Sequence, residues 1–213
     1  MRHNLTTSRI ELMNGQMSAQ YPNRAVGRLG FRYKTGNAMC SASLIGPGLL
    51  LTAAHCVAEF GSGGFLPNAN WAYVPGYYKG KGAYGTFTAQ AAFAPQSYVN
   101  GTAQCLQGVI CPNDVALLVL RPNKKKKYPG TLTGWLGVGL DGYGFSDWLP
   151  APVAPVAQLG YPGGLDNGAQ MIRNDAVGFR IVAGESEADS VENTMIGSPL
   201  DGGSSGGPWV LNF

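Results

Sequence analysis

The clearest apolar segments of this chain are short and end at glycine or proline. Residues 39–45 stop at the turn-forming run Gly46-Pro47-Gly48, and the apolar run 115–120 lies between Pro112 and Pro122. The chain holds 32 glycines and 14 prolines in 213 residues, which disfavours long helices and favours short strands joined by tight turns. The pattern predicts an all-β fold.

The predicted strands fall into two groups separated by a lysine run. A short helical turn is expected over residues 53–58, and residues 1–22 read as a loosely ordered polar arm. The run Lys124-Lys125-Lys126-Lys127 is interpreted as a solvated linker, with an anion patch or a cleavage site as alternatives. The expected strands are 25–31, 39–45, 49–52, 71–74, 85–93 and 115–120 in the first group, and 132–138, 154–160, 176–183 and 207–212 in the second.

Composition excludes some classes of partner. The net charge is only +3 and charged residues make up 13% of the chain, so nothing indicates a nucleic-acid partner. No run of about 18 apolar residues occurs, so we expect no transmembrane helix and no membrane partner.

A pair of serines lies in the glycine-rich run Gly202-Gly203-Ser204-Ser205-Gly206-Gly207-Pro208. Glycines remove side-chain bulk and permit unusual backbone angles, so that adjacent N–H groups can point at one spot. Such a loop suits a nucleophile that a substrate carbonyl must approach closely. The backbone N–H groups of Gly203 and Ser205 are the candidates for an oxyanion hole, and either serine could act as the nucleophile on chemistry alone.

Two upstream segments supply the other groups that acyl transfer needs. Leu51-Thr52-Ala53-Ala54-His55-Cys56 carries an imidazole and Asn113-Asp114-Val115-Ala116-Leu117-Leu118 carries a carboxylate. A serine hydroxyl is a poor nucleophile until an imidazole takes its proton, and a carboxylate holds the tautomer of that imidazole. We therefore expect His55 as general base, Asp114 as its orienting carboxylate and Ser205 as nucleophile.

Each of these residues also has a purely structural interpretation. His55 fits a half-buried histidine with satisfied hydrogen bonds, Asp114 fits a turn cap before a strand, and Ser205 fits an ordinary loop serine. The only other histidine, His3, lies in the polar arm, so His55 has no rival as the base.

The three segments resemble the signatures of chymotrypsin/trypsin-like serine endopeptidases, in that family's order of His, Asp and Ser. The resemblance spans about residues 25–210 and is specific at the three motifs. By this match Ser205, not Ser204, is the nucleophile. The glycine-rich run, with Arg24-Ala25-Val26-Gly27-Arg28-Leu29 and Gly160-Tyr161-Pro162-Gly163, is most similar to the microbial trypsin-like and glutamyl endopeptidase branch.

The resemblance implies two packed antiparallel β-barrels with the triad in the cleft between them. It divides the chain into a polar arm (1–22), a first barrel with His and Asp (23–122), a Lys-rich linker (123–130) and a second barrel with the serine (131–213). Only eight residues follow Ser205, whereas the family continues with two more strands and a helix. We therefore expect the second barrel to be incomplete.

The four cysteines are expected to form two disulfides, Cys40–Cys56 and Cys105–Cys111, with four reduced thiols as the alternative. The strand that begins at Cys40 resembles the family strand whose cysteine bridges to the one after the histidine. Disulfides place the protein in an oxidising compartment, so we expect secretion, with a signal segment that this chain does not contain. No Cys-x-x-Cys pair occurs, so we expect no metal site, and no cofactor is implied.

Two positions differ from animal trypsins. Their residue before the nucleophile is an aspartate that pairs with the newly cut N-terminus, and here it is Ser204. We therefore expect no activation switch of that kind. The position six residues before the nucleophile, acidic in trypsins, is Pro199, which cannot pair with a lysine or arginine of the substrate. The branch resemblance implies a preference for glutamate instead.

These observations predict a secreted, monomeric serine endopeptidase that acts on polypeptides through an acyl-enzyme. The alternative is a catalytically inactive homologue that serves as a binding or structural module. An esterase of the α/β-hydrolase type is disfavoured, because those enzymes place the serine before the acid and the histidine.

Overall fold

The structure, a computed structural model, describes residues 5–10, 17–34, 36–103, 113–139, 143–146, 152–183, 191–211 and 213. Most of the regular structure in these ranges is β-strand, and no helix in them is long and apolar enough to cross a membrane. Two short helices, α1 (Gln96–Val99) and α2 (Pro129–Thr133), accompany 3-10 turns at Asn23–Ala25, Ala54–Cys56 and Asp166–Gly168. The strands are β1 (Leu5–Arg9), β2 (Val26–Tyr33), β3 (Gly36–Leu44), β4 (Leu49–Thr52), β5 (Ala72–Pro75), β6 (Phe87–Phe93), β7 (Ala116–Leu120), β8 (Val153–Gly160), β9 (Ile172–Ala183), β10 (Val191–Met195) and β11 (Trp209–Val210).

Six strands close into an antiparallel barrel in the order β2-β3-β4-β7-β6-β5. The predicted hairpin of β3 and β4 forms across the Gly46-Pro47-Gly48 turn, and β4 then pairs with β7. In β7 the side chains of Ala116, Leu118 and Leu120 point into the barrel, while the residues between them are half-buried. This alternation follows from the two-residue period of a strand and explains why the apolar run becomes one wall of the core.

A second antiparallel sheet runs in the order β1-β9-β8-β11. The long strand β9 pairs with β8 along one edge. Its other edge is shared, with β1 opposite the first half of β9 and β10 opposite the second half. The closed barrel and this partial sheet confirm the predicted all-β, two-barrel fold class.

The two sheets meet at a small apolar cluster that draws residues from both. Ala25 and Val26 at the start of the barrel pack with Leu159, Tyr161 and Met171 from the second sheet, and all five are essentially inaccessible to solvent.

Two segments differ from the sequence-based expectation. The prediction of a strand over 132–138 is wrong. Pro129 begins α2, Gly134 with φ of +73° ends it, and residues 134–138 form no strand. The polar arm contains β1, whose exposed side chains gave no amphipathic signal. β1 is a strand because its backbone pairs with that of β9. A pairing with such a distant segment leaves no pattern in the sequence of β1 itself.

Candidate active site

His55 lies on the short turn that follows β4. Thr52 ends the strand, and the 3-10 turn Ala54–Cys56 lifts the His55 side chain into a position where 45% of it is exposed. The next residue, Cys56, is bonded to Cys40 of β3, and the indole N–H of Trp71 donates to the Cys56 carbonyl at 3.0 Å. The backbone around the imidazole is therefore fixed both covalently and by a hydrogen bond.

Asp114 contacts His55 through both of its oxygens. Oδ2 lies 2.7 Å from Nδ1 of His55, and Oδ1 accepts the backbone N–H of the same residue at 2.8 Å. The pairing of β4 with β7 explains this meeting, since Thr52 at the end of β4 stands opposite Ala116 at the start of β7. The two motifs, 59 residues apart in sequence, thus leave adjacent strand ends.

The electrostatics of the His55–Asp114 pair determine which nitrogen of the imidazole carries the proton. Burial raises the pKa of Asp114, but hydrogen bonds and charge from His55, with the N–H of Ala54, outweigh burial, so the pKa lies below its usual value. An ionised carboxylate can only accept, so Nδ1 must be the donor and Nε2 of a neutral imidazole is left as an acceptor. A base with its free lone pair directed away from the carboxylate is what proton abstraction requires. The charge of Asp114 has a second effect, since burial first and this charge next raise the pKa of Tyr98 to about 12.

The serine-containing loop is a pair of tight turns that docks against the barrel. The N–H of Ser204 donates to the Asp201 carbonyl at 3.0 Å, and the N–H of Gly207 donates to the Ser204 carbonyl at 2.9 Å. The carbonyl of Ser205 accepts the N–H of Ser41 from β3 at 2.8 Å and lies 4.0 Å from Sγ of Cys56. The structure therefore brings the Ser205 backbone beside the disulfide that adjoins His55.

Glycine is required at two positions of this loop. A Cβ at Gly206 would lie 2.2 Å from Oγ1 of Thr52 and 2.6 Å from the backbone nitrogen of Ala53. Gly203 has φ of +101°, and a Cβ there would lie 2.6 Å from the Tyr161 carbonyl oxygen. The glycines predicted from the sequence to give close backbone approach do so: Gly206 approaches the end of the strand that leads to His55, and Gly203 approaches Tyr161.

The two serines have different environments. The Ser204 hydroxyl donates to the Asp201 carbonyl at 2.6 Å within the turn. The Ser205 hydroxyl, in contrast, makes no hydrogen bond with His55 or with any other described residue. The backbone N–H groups of Gly203 and Ser205 likewise donate to no acceptor in the described part of the chain. One hydroxyl and two amide donors are thus left available on the same short loop.

Ser41 is a site residue that the sequence analysis did not single out. Its hydroxyl is inaccessible to solvent, accepts the N–H of Tyr161 at 2.8 Å and donates to the carbonyl of Gly203 at 2.8 Å. Asp201 gives further support, since its Oδ1 accepts the N–H of Gly164 at 3.0 Å. The sequence held no signal for Ser41, because both partners of its hydroxyl, Tyr161 and Gly203, are more than 100 residues away in the chain.

The donor set here does not suit a metal ion. Within the described ranges, the one cluster of potential ligands consists of Cys40, His55 and Cys56. The two sulfurs are joined as the predicted disulfide, so neither is a thiolate that could bind a metal. The second expected disulfide, Cys105–Cys111, lies outside the described residues.

Comparison with known proteins identifies similar sequences and folds. The trypsin family model matches residues 14–135, a range that includes His55 and Asp114 and ends before Ser205. No curated protein matches the chain significantly. AL20, a thermostable serine protease from an extremophilic microorganism, is 21% identical with a TM-score of 0.68, over 89% of this chain and 79% of that one.

Two further solved structures extend the comparison. The protease Anisep from Arthrobacter nicotinovorans is 25% identical with a TM-score of 0.67, over 89% of this chain and 78% of that one. A Glu endopeptidase is 16% identical with a TM-score of 0.63, over 97% of this chain and 80% of that one. At these identities the structural similarity supports the fold. The match to the family model supports the assignment to a family.

Proposed function

The chain belongs to the trypsin family and is a serine-type endopeptidase, and we propose that it hydrolyses peptide bonds through an acyl-enzyme on Ser205. The observation that carries this proposal is the contact of His55 with Asp114, in which Nδ1 lies 2.7 Å from Oδ2. It supplies an oriented base next to the loop that holds a serine with an unengaged hydroxyl.

His55 acts first as general base and then as general acid. As Oγ of Ser205 bonds to the substrate carbonyl carbon, its proton passes to Nε2 of His55, and the carbonyl oxygen takes the negative charge. Collapse of this intermediate breaks the C–N bond, and the same proton passes to the leaving amine. A water molecule then repeats the sequence on the acyl-enzyme and releases the carboxylic acid. Asp114 stays ionised throughout and stabilises the imidazolium.

The N–H groups of Gly203 and Ser205 stabilise the oxyanion of the tetrahedral intermediate. Both are free of protein acceptors among the described residues, and the positive φ of Gly203 turns its backbone relative to that of its neighbours. Preorganised donors of this kind are worth about 3 kcal/mol each in acyl transfer.

The substrate is a polypeptide, and the protein is secreted. The Cys40–Cys56 disulfide supports secretion, because such bonds persist in oxidising compartments. At the position six residues before Ser205, Pro199 brings no charge, which supports a preference other than for lysine or arginine. The Ser204 hydroxyl is held inside its own turn, which supports maturation without the charge-pairing switch of animal trypsins.

An inactive homologue is the second candidate. It is favoured by one observation, that the Ser205 hydroxyl forms no hydrogen bond with His55 in this structure. Such bonds are often long in free enzymes and tighten with substrate, so the missing bond is compatible with an active protease.

Labelling with a fluorophosphonate separates them. We expect the wild-type protein to form a covalent adduct on Ser205, seen by peptide mass spectrometry, at a rate that His55→Ala lowers strongly. Ser205→Ala is expected to abolish labelling, whereas the adjacent change Ser204→Ala is the matched control and is expected to retain it. A folded wild-type protein that never labels, or one that labels on Ser204, contradicts the proposal.

A further inference from the structure

A row of polar side chains crosses the second sheet from its N-terminal strand. Thr7 of β1 stands opposite Asn174 of β9, and Asn174 stands opposite Gln158 of β8. Directly opposed residues in a sheet project from the same face, so the three side chains form one line. We call Thr7, Asn174 and Gln158 the polar row.

Asn174 is the centre of the polar row and is inaccessible to solvent. Its amide is used on both sides: Oδ1 accepts the Thr7 hydroxyl at 3.0 Å, and Nδ2 donates to the carbonyl of Gly197 at 2.9 Å. A buried amide that loses a partner incurs the desolvation cost of the orphaned atom. The hydrogen bond from Thr7 therefore helps to set which way the amide faces, and hence whether Nδ2 reaches Gly197.

Gln158 holds the next residue of the same segment. Its Oε1 accepts the hydroxyl of Ser198 at 2.6 Å, and Oγ of Ser198 accepts the N–H of Leu200 at 3.0 Å. The polar row thus binds residues 197 and 198 in succession and stabilises the turn that they begin.

That turn leads directly into the serine loop. Leu200 is followed by Asp201, whose carbonyl oxygen accepts both the N–H and the hydroxyl of Ser204. Segment 197–200 therefore determines where the Asp201 turn starts, and the turn determines where Ser205 lies.

We propose that Thr7 is a positioning residue for Ser205, acting through Asn174 on segment 197–200. The strand β1, far from the reacting atoms in sequence, thereby sets how well the serine loop is preorganised for acylation. The expected effect of Thr7 on the acylation rate rests on the proposed function. The structural coupling from Thr7 to segment 197–200 does not depend on that function.

Adjacent threonines on β1 give a matched test in the full-length protein. Thr7→Val removes the hydroxyl and keeps the shape of the side chain. Thr6→Val makes the same change on the opposite face of the strand, and Thr7→Ser keeps a hydroxyl at position 7. Amide hydrogen exchange of the peptide covering 197–206 reports the position of the loop, and the fluorophosphonate acylation rate constant reports its effect.

We expect Thr7→Val to speed exchange over 197–206 and to slow acylation by about three- to tenfold, the loss of one hydrogen bond to a buried group. Thr6→Val and Thr7→Ser are expected to match the wild type in both measurements and in unfolding temperature, whereas Thr7→Val is expected to stay folded at 25 °C with an unfolding temperature lowered by about 2–6 °C. Unchanged exchange in Thr7→Val overturns the inference, as does equal acceleration in Thr6→Val. If the wild-type protein does not label while exchange rises only in Thr7→Val, the proposed function fails and the coupling stands.

Discussion

Gly203 has a backbone conformation in the serine loop that a side chain would strain. Its φ of +101° lies in a region that residues with a side chain rarely adopt, and a Cβ would lie 2.6 Å from the Tyr161 carbonyl oxygen and 3.0 Å from Cε of Met39. Its neighbour Gly202 has open space around it, with no atom within 4 Å of a Cβ. Two consecutive glycines thus differ sharply in what they tolerate.

We expect Gly203→Ala to destabilise the protein by about 1–3 kcal/mol and to lower the acylation rate by about 10²–10³-fold, because strain moves an oxyanion donor. Gly202→Ala is expected to change stability by less than about 0.5 kcal/mol. Denaturant unfolding and fluorophosphonate labelling of both variants measure these effects. Equal behaviour of the two alanines contradicts the assignment of Gly203.

Asp114 links the charge of the site to folding stability. Its pKa is lower in the folded protein than in the unfolded chain, so the stability it contributes is complete above the usual carboxyl pKa near 3.8 and is lost as pH falls through the lower folded value. We expect the unfolding free energy of the wild type to approach that of Asp114→Asn between about pH 5 and pH 2. If the two curves run parallel throughout this range, the prediction is contradicted.

At pH 7, Asp114→Asn is expected to slow acylation by about 10⁴-fold, as this exchange does in the Ser–His–Asp template.

The residues of the candidate site were predictable to different degrees. His55, Asp114 and Ser205 stand in local motifs whose residue types indicate their chemistry, and the structure brings the first two into contact. Ser41 and Asn174 could not be predicted, because each acquires its role from partners that only the folded chain brings near. A buried polar residue whose partners are distant in sequence carries no local signature.

Among the elements, strands with a strong apolar pattern were predicted and those defined by pairing were not. The run before Pro122 became β7, and the segment before Gly46 became β3, because each has a face to bury. β1 consists of exposed residues, all polar except Leu5, and it is a strand because it pairs with β9. The strand predicted over 132–138 does not form, because α2, which begins at Pro129, extends into its first two residues and the remainder pairs with no strand.

The disulfide connects β3 with the turn that carries His55. Cys40 of β3 and Cys56 are buried and 16 residues apart, a loop for which the chain-entropy model gives about 3 kcal/mol. We expect the double change Cys40→Ala/Cys56→Ala to lower the unfolding temperature by about 6–12 °C. Thermal unfolding with and without a thiol reductant measures this. Reductant is expected to lower the unfolding temperature of the wild type more than that of the double variant. An equal shift in both proteins would show that the lowering arises elsewhere.

At the scale of the whole molecule, the barrel and the second sheet are joined where the candidate site lies. The Ser41 hydroxyl from the barrel bonds two backbone groups of the other half, and the Ser41 N–H bonds the carbonyl of Ser205. The site is therefore a property of the joint, because neither half alone holds both the base and the nucleophile.

We expect Ser41→Ala to destabilise the protein by about 1–3 kcal/mol, because it leaves the Tyr161 N–H and the Gly203 carbonyl buried without a partner. Ser62→Ala removes an exposed hydroxyl bonded to Gly64 and is the control, with an expected change within about 0.5 kcal/mol. Denaturant unfolding gives both values. If Ser41→Ala leaves the free energy of unfolding unchanged, Ser41 is not a stabilising link between the two halves.

The pairing of β1 with β9 has a consequence for the order of events during synthesis. Thr7 and Asn174 are 167 positions apart, so β1 leaves the ribosome long before the strand it needs. Contacts of such separation form late, since a long loop must close first. A partly made chain can thus assemble the barrel, with His55 and Asp114 in place, before β9 and the serine loop have been synthesised. Under the function proposed here, such a nascent chain holds an oriented base and no nucleophile.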